Sequence, residues 1–132
     1  MIHLDTHVVV WLYAGQLDRF PDRALELLES EPLAISPMVR IELSYLHEIN
    51  RVRATASEIL EELAGTIGMA VDATPFAEVA QIAASSMTAF TRDPFDRVIT
   101  AQCIAASRGG REVPLITKDF TIREHLRHAV WE

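Results

Sequence analysis

Cysteine is nearly absent: Cys103 is the only one, so an internal disulfide framework is excluded and the chain suits a reducing compartment. Lysine is equally scarce, because eleven of the twelve basic residues are arginine and the twelfth is Lys118. Positive charge is outweighed as well. The formal net charge of −7 argues against a dedicated nucleic-acid binder, whose footprint is a basic face. The surplus is uneven, since residues 1–84 balance to −8 and residues 85–132 to +1. No apolar run is long enough to span a bilayer. Residues 1–12 also lack the basic start and small-residue cleavage site of a signal peptide, so the reading is cytoplasmic, with no membrane partner. Neither a helix-borne histidine pair at i, i+4 nor a cysteine pair is available for zinc, and His3, His7, His125 and His128 read as packing or surface residues. There is no internal repeat, linker or low-complexity tract.

What is present is a half-apolar chain of 132 residues, enough for one domain that buries its own core. Apolar runs at 2–4, 32–36, 69–71, 113–117 and 129–131 read as strands. Between them, helices are expected at 6–14, 21–30, 37–49, 57–67, 75–85, 98–107 and 120–127, with Gly15 and Gly68 as stops. Strand and helix alternate throughout. The fold class is therefore α/β: one domain over residues 1–132, with a parallel sheet of four to five strands covered by helices on both faces.

Several acids fall where such a sheet places its ligands, in the crevice outside the carboxyl ends of the strands. Asp5 ends the first apolar run, although Asp is also a preferred helix N-cap. On the helix at 37–49, Met38, Val39, Tyr45, Leu46 and Ile49 form the expected apolar arc, with Glu42 in its middle. A glutamate so placed needs a cation, either a metal ion or an arginine such as Arg51 or Arg97. In Asp93-Pro94-Phe95-Asp96, Asp93 suits an N-cap, Pro94 the first helical position, and Asp96 the third, where the helix dipole favours an acid. Asp119 follows the strand at 113–117.

If those strand ends share an edge, Asp5, Glu42, Asp96 and Asp119 converge. Two carboxylates about 4 Å apart repel by about 4 kcal/mol at an effective dielectric of 20, so such a cluster takes up protons or a cation. Hard oxygen donors select Mg²⁺ or Mn²⁺, which promote phosphodiester hydrolysis by activating water.

Leu4-Asp5-Thr6-His7, Ile41-Glu42-Leu43, Asp93-Pro94-Phe95-Asp96-Arg97 and Thr117-Lys118-Asp119 resemble the ordered acidic motifs of PIN-domain ribonucleases, specifically VapC-type toxins of toxin–antitoxin modules. The resemblance covers essentially the whole chain. It implies that Asp5, Glu42, Asp96 and Asp119 bind the metal, with Asp93, Thr6 and Thr117 accessory and Arg92 and Arg97 gripping substrate. It further implies Mg²⁺- or Mn²⁺-dependent endonucleolytic cleavage of RNA, a homodimer, inhibition by a cognate antitoxin, and contact with DNA only through that antitoxin. Many relatives carry a histidine just before the DPFD stretch, where this chain has Phe90-Thr91-Arg92. Two other classes remain open at this point. One is a phosphoryl-transfer domain of aspartyl-phosphatase or receiver type, although His7 stands where a phosphatase wants a second acid; the other is a non-catalytic interaction module.

Overall fold

The computed structural model describes residues 1–85 and 90–132. Among them lie five strands and seven α-helices. The first is β1 (Ile2–Leu4), followed by α1 (Thr6–Tyr13), α2 (Asp22–Ser30), β2 (Leu33–Ile35), α3 (Pro37–Glu48) and α4 (Ala56–Ile67). Then come β3 (Ala70–Val71), α5 (Phe76–Ser85), α6 (Pro94–Ser107), β4 (Leu115–Ile116), α7 (Phe120–His125) and β5 (Ala129–Val130). Every strand pairing is parallel, and the order across the sheet is β3-β2-β1-β4-β5.

That order places β1 at the centre, with His3 registered against Ala34 on one side and Leu115 on the other. Right-handed crossovers then put α1 to α4 on one face of the sheet and α5 to α7 on the other. The direction of winding changes between β1 and β4, which opens a crevice at their carboxyl ends. Asp5 follows one of those strands and Thr117 the other, so the topology alone brings them side by side.

Because both faces are covered, the central strands are apolar on both sides. Ile2, Leu4, Ile35, Leu115 and Ile116 are wholly buried, each contributing about 1.5–3 kcal/mol of hydrophobic burial. His3 is the polar exception. Its Nε2 lies 2.8 Å from Asp72 Oδ2 without the alignment of a hydrogen bond, and burial lowers its pKa against the opposing pull of Asp72. At the far edge, the Trp131 ring packs against Trp11 and Phe20, with centroids 5.8 and 5.4 Å away, and ties the end of β5 to α1.

Three expectations about helix faces need correction. In α3 the buried side runs through Val39 and Leu43, while Tyr45 and Ile49 are exposed and Glu42 stands half-buried at the boundary. The cause is that α3 is packed by α4 and α6 together, so its inner face is set by two neighbours rather than by the densest apolar arc. Apolar spacing in the helices expected at 57–67 and 75–85 turns Ile67 inward with Ile59, Leu60 and Leu63, and Phe76 inward with Val79 and Ile82, but Ile67 and Phe76 are exposed at the end of α4 and the start of α5. The α4 stop is as expected: Gly68 closes the helix at φ +67°, and its N–H reaches Leu63 O. A Cβ there would meet nothing within 4 Å, so Gly68→Ala should cost only the left-handed backbone penalty, about 1 kcal/mol in urea denaturation.

Candidate active site

Asp5 is both a helix cap and a site residue, because its two oxygens do different things. Oδ1 accepts from the Thr6 N–H at 2.8 Å and starts α1, while Oδ2 accepts from the Thr117 hydroxyl at 2.6 Å. The same Thr117 oxygen accepts from the Asp119 N–H at 3.0 Å, so a single hydroxyl positions the acids at the ends of β1 and β4. Asp119 caps α7 through Oδ1, which accepts from Ile122 N–H at 2.9 Å. Asp93 caps α6 in the same manner, with Oδ1 taking the N–H groups of Phe95 and Asp96. In each of these three acids one oxygen holds the backbone; the second is taken by Thr117 in Asp5 and has no hydrogen bond within the described residues in Asp93 and Asp119.

Asp96 projects from the first turn of α6 into the middle of this group. Its carboxyl is pushed up to about 7, first by burial and then by the negative charges of Asp93, Asp5, Asp119 and Glu42. All four of the other acids lie near enough to act on it electrostatically. Glu42 reaches the group from α3; burial raises its carboxyl, the Thr6 hydroxyl works against that rise, and Asp5 and Asp93 add to it. Asp5 is raised as well, chiefly by burial, with the hydrogen bonds from Thr117 and Thr6 opposing.

The cation that would make this cluster ordinary is missing. Among the described residues none of these five carboxylates has an ion pair with lysine, arginine or histidine. Arg97, one of two arginines that could have neutralised Glu42, donates from Nε to Thr91 O at 2.6 Å and braces the turn before α6 instead. Arg51 and Arg92 are exposed. The Thr6 hydroxyl is buried and leans toward Glu42 without completing a hydrogen bond. As the side chains stand, no three His, Cys, Asp or Glu groups among the described residues close on one point tightly enough to hold an ion. The donor set is nevertheless the one a hard divalent cation takes: spare carboxylate oxygens, a hydroxyl without a partner, and no positive charge of the chain's own between them.

Thr117 makes the arrangement testable without touching an acid. Thr117→Val keeps the shape and removes both hydrogen bonds, leaving a buried Asp5 oxygen unmatched; the expected loss is about 1–2 kcal/mol of stability and about tenfold in any activity that depends on Asp5. Urea denaturation and a rate assay check the two parts separately.

Sequence reasoning named the acids but passed over their surroundings. His7 is exposed on α1, close enough to act on both Asp5 and Glu42, and Lys118 stands between Thr117 and Asp119 with its amine over the Trp11 ring. The only signal in the sequence was position, a lone lysine flanked by two residues of the site.

Three comparisons bear on what this crevice is. The PIN domain family matches residues 2–125. No curated protein matches the sequence. Among solved structures, the chain is similar to one in the crystal structure of VapBC2 from Rickettsia felis bound to a DNA fragment from their promoter, at 16% identity, 100% coverage of both chains and a TM-score of 0.67. It is also similar to a chain of a toxin–antitoxin complex from Klebsiella pneumoniae, at 16% identity, with 98% of this chain and 96% of that one covered and a TM-score of 0.61. At that identity the likeness carries the fold.

Proposed function

The chain belongs to the PIN domain family, and from that premise we propose that it is a Mg²⁺- or Mn²⁺-dependent endoribonuclease, the toxin of a toxin–antitoxin pair. The observation that carries the proposal is a half-buried Asp96 among four further carboxylates, with no cation of the chain paired to any of them among the described residues. Such a cluster is unfavourable unless something positive enters it.

Asp5, Glu42, Asp96 and Asp119 would hold the ion, with Asp93, Thr6 and Thr117 as their support. When bound, the ion supplies Lewis acidity toward the phosphodiester and a lowered pKa for an attacking water. The protein's own part is positional. Thr117 fixes Asp5 and Asp119 relative to each other, the N-terminus of α6 presents Asp96, and Thr6 offers a hydroxyl between Asp5 and Glu42. Burial and the neighbouring acids push the Asp96 carboxyl up to about 7, and it must be ionised to act as a ligand, so affinity for the ion should weaken as pH falls below 7. Arg92, exposed and adjacent in sequence to Asp93, would take backbone phosphate.

The solved structures named above are toxin–antitoxin complexes, which supports an antitoxin partner for this chain too. Self-association belongs to the same reading. Ile41, Tyr45 and Ile49 stand exposed at i, i+4, i+8 along α3, apolar surface of the kind an interface covers.

The direct test is cleavage of single-stranded and hairpin RNAs by purified protein with Mn²⁺, with Mg²⁺, or with a chelator. Internal cuts that need the divalent ion are expected. Intact RNA of every kind in Mn²⁺, from folded protein, would overturn the assignment.

A further inference from the structure

Five carboxylates repel the substrate they are proposed to cut, so positive charge must meet RNA close by. The chain has it in an uncommon form. Trp11 is half-buried on α1, two turns beyond Asp5, and is held from behind by Phe20 and Trp131 at 6.1 and 5.8 Å between ring centroids. Three further groups stand near the same ring. The Arg19 guanidinium lies 5.3 Å from the ring centroid, the Lys118 amine 5.9 Å, and the exposed His7 ring 6.1 Å. Neither Arg19 nor Lys118 has an acid within ion-pair distance among the described residues, although the chain carries 19 acids. Lys118 links this group to the crevice directly, being the residue between Thr117 and Asp119.

We propose that His7, Trp11, Arg19 and Lys118 form a nucleotide subsite, binding an unpaired base and its phosphate one step along a single-stranded RNA from the bond that is cut. This deepens the nuclease reading above and rests on it. Position decides which phosphate is meant. Six residues of helix separate Trp11 from Asp5, about 9 Å along the axis, which is too far for the scissile group and suits its neighbour. Chemistry decides which polymer. An aromatic ring beside two cations that no acid neutralises, Arg19 being held only by Gln16 Oε1 at 2.7 Å from its Nε, matches a base and its backbone, and base–aromatic stacking accepts any base whose face is free. A duplex hides those faces, so it is excluded from the subsite. The two cations stand over the indole while remaining exposed to solvent, and that contact lowers part of the ordering cost when phosphate arrives.

The test uses the full chain carrying Asp96→Asn, so that bound RNA stays intact, with a fluorescein-labelled ten-nucleotide oligouridylate in Mg²⁺. Lys118→Gln and Arg19→Gln should each weaken binding about five- to tenfold. Each should also reduce the slope of log affinity against log salt by about 0.7, the share of one phosphate contact on a single strand. With Trp131→Phe added, Trp11 is the sole indole, and its emission should be quenched by the oligonucleotide and unchanged by a duplex of equal length. Because Lys118 is the only lysine, its acetylation rate gives a second readout, expected to fall several-fold when RNA is bound. Unchanged affinity, salt slope and Trp11 emission in these variants overturn the subsite: the cations then only shield the indole. If the protein with Asp96 intact still cuts RNA in that case, the nuclease reading stands alone. RNA neither cut by that protein nor bound by the Asp96→Asn chain removes both.

Discussion

Asp5→Asn and Asp96→Asn should each lower Mn²⁺-dependent RNA cleavage by more than about 100-fold, with the protein still folded. Losing an outer-shell partner of a metal ligand costs roughly 10–100-fold, and these two substitutions remove proposed ligands themselves. Asn keeps the shape of Asp and one acceptor oxygen. In Asp5→Asn that oxygen still caps α1 or still meets Thr117, so β1 and β4 stay aligned. In Asp96→Asn no hydrogen bond from the side chain to the fold is lost, because the cap of α6 is made by Asp93. Circular dichroism and cleavage rates on the same samples separate the two effects. Full cleavage by either variant would contradict the assignment of the acids.

Stripping divalent ions should make the protein's stability fall as pH rises from about 4 to 7, and Asp96→Asn should remove the share of that fall that Asp96 contributes beside Asp5 and Glu42. An acid whose pKa is raised by folding favours the folded state while it is protonated, below its ordinary value of 3.8, and loses that contribution as pH passes about 7. The full shift corresponds to about 4 kcal/mol, and a half-exposed carboxyl is screened by water, so about 2 kcal/mol is the expected change. At pH 8 without metal, Asp96→Asn is therefore expected to melt at a higher temperature than the parent. Millimolar Mn²⁺ should reverse that order, since only the parent keeps the ligand. Thermal melts at pH 4.5, 6 and 8, with and without Mn²⁺, provide the check; identical pH profiles for parent and variant would mean that Asp96 is not raised.

The parallel character of the sheet was legible in the residues, though the order of its strands was not. Apolar runs ending in Asp5 and in Thr117-Lys118-Asp119, separated by helices, are enough to place both ends on one edge once crossovers are right-handed. The choice between capping and site chemistry was posed too sharply. Asp5, Asp93 and Asp119 each cap a helix with one oxygen, and a carboxylate has two. Glu42 was located for a partly mistaken reason. Counting apolar residues around α3 put it in the centre of the buried arc, whereas Leu43 is the wholly buried neighbour and Glu42 lies on the rim beside Thr6. Period alone cannot say which of two packed helices covers which side. The group around Trp11 was not legible at all, because Arg19, Lys118 and Trp131 are brought to Trp11 by three different elements.

The bond between Asp5 and Thr117 joins positions 112 apart, and β1 has its second neighbour only when β4 is in place. A ribosome releasing this polypeptide therefore exposes Asp5, then Glu42, then Asp96 as separate acids, and the pocket closes last. Long-range pairing of this kind is slow. Chemistry that needs all of these acids together is withheld during translation until Asp119 has emerged.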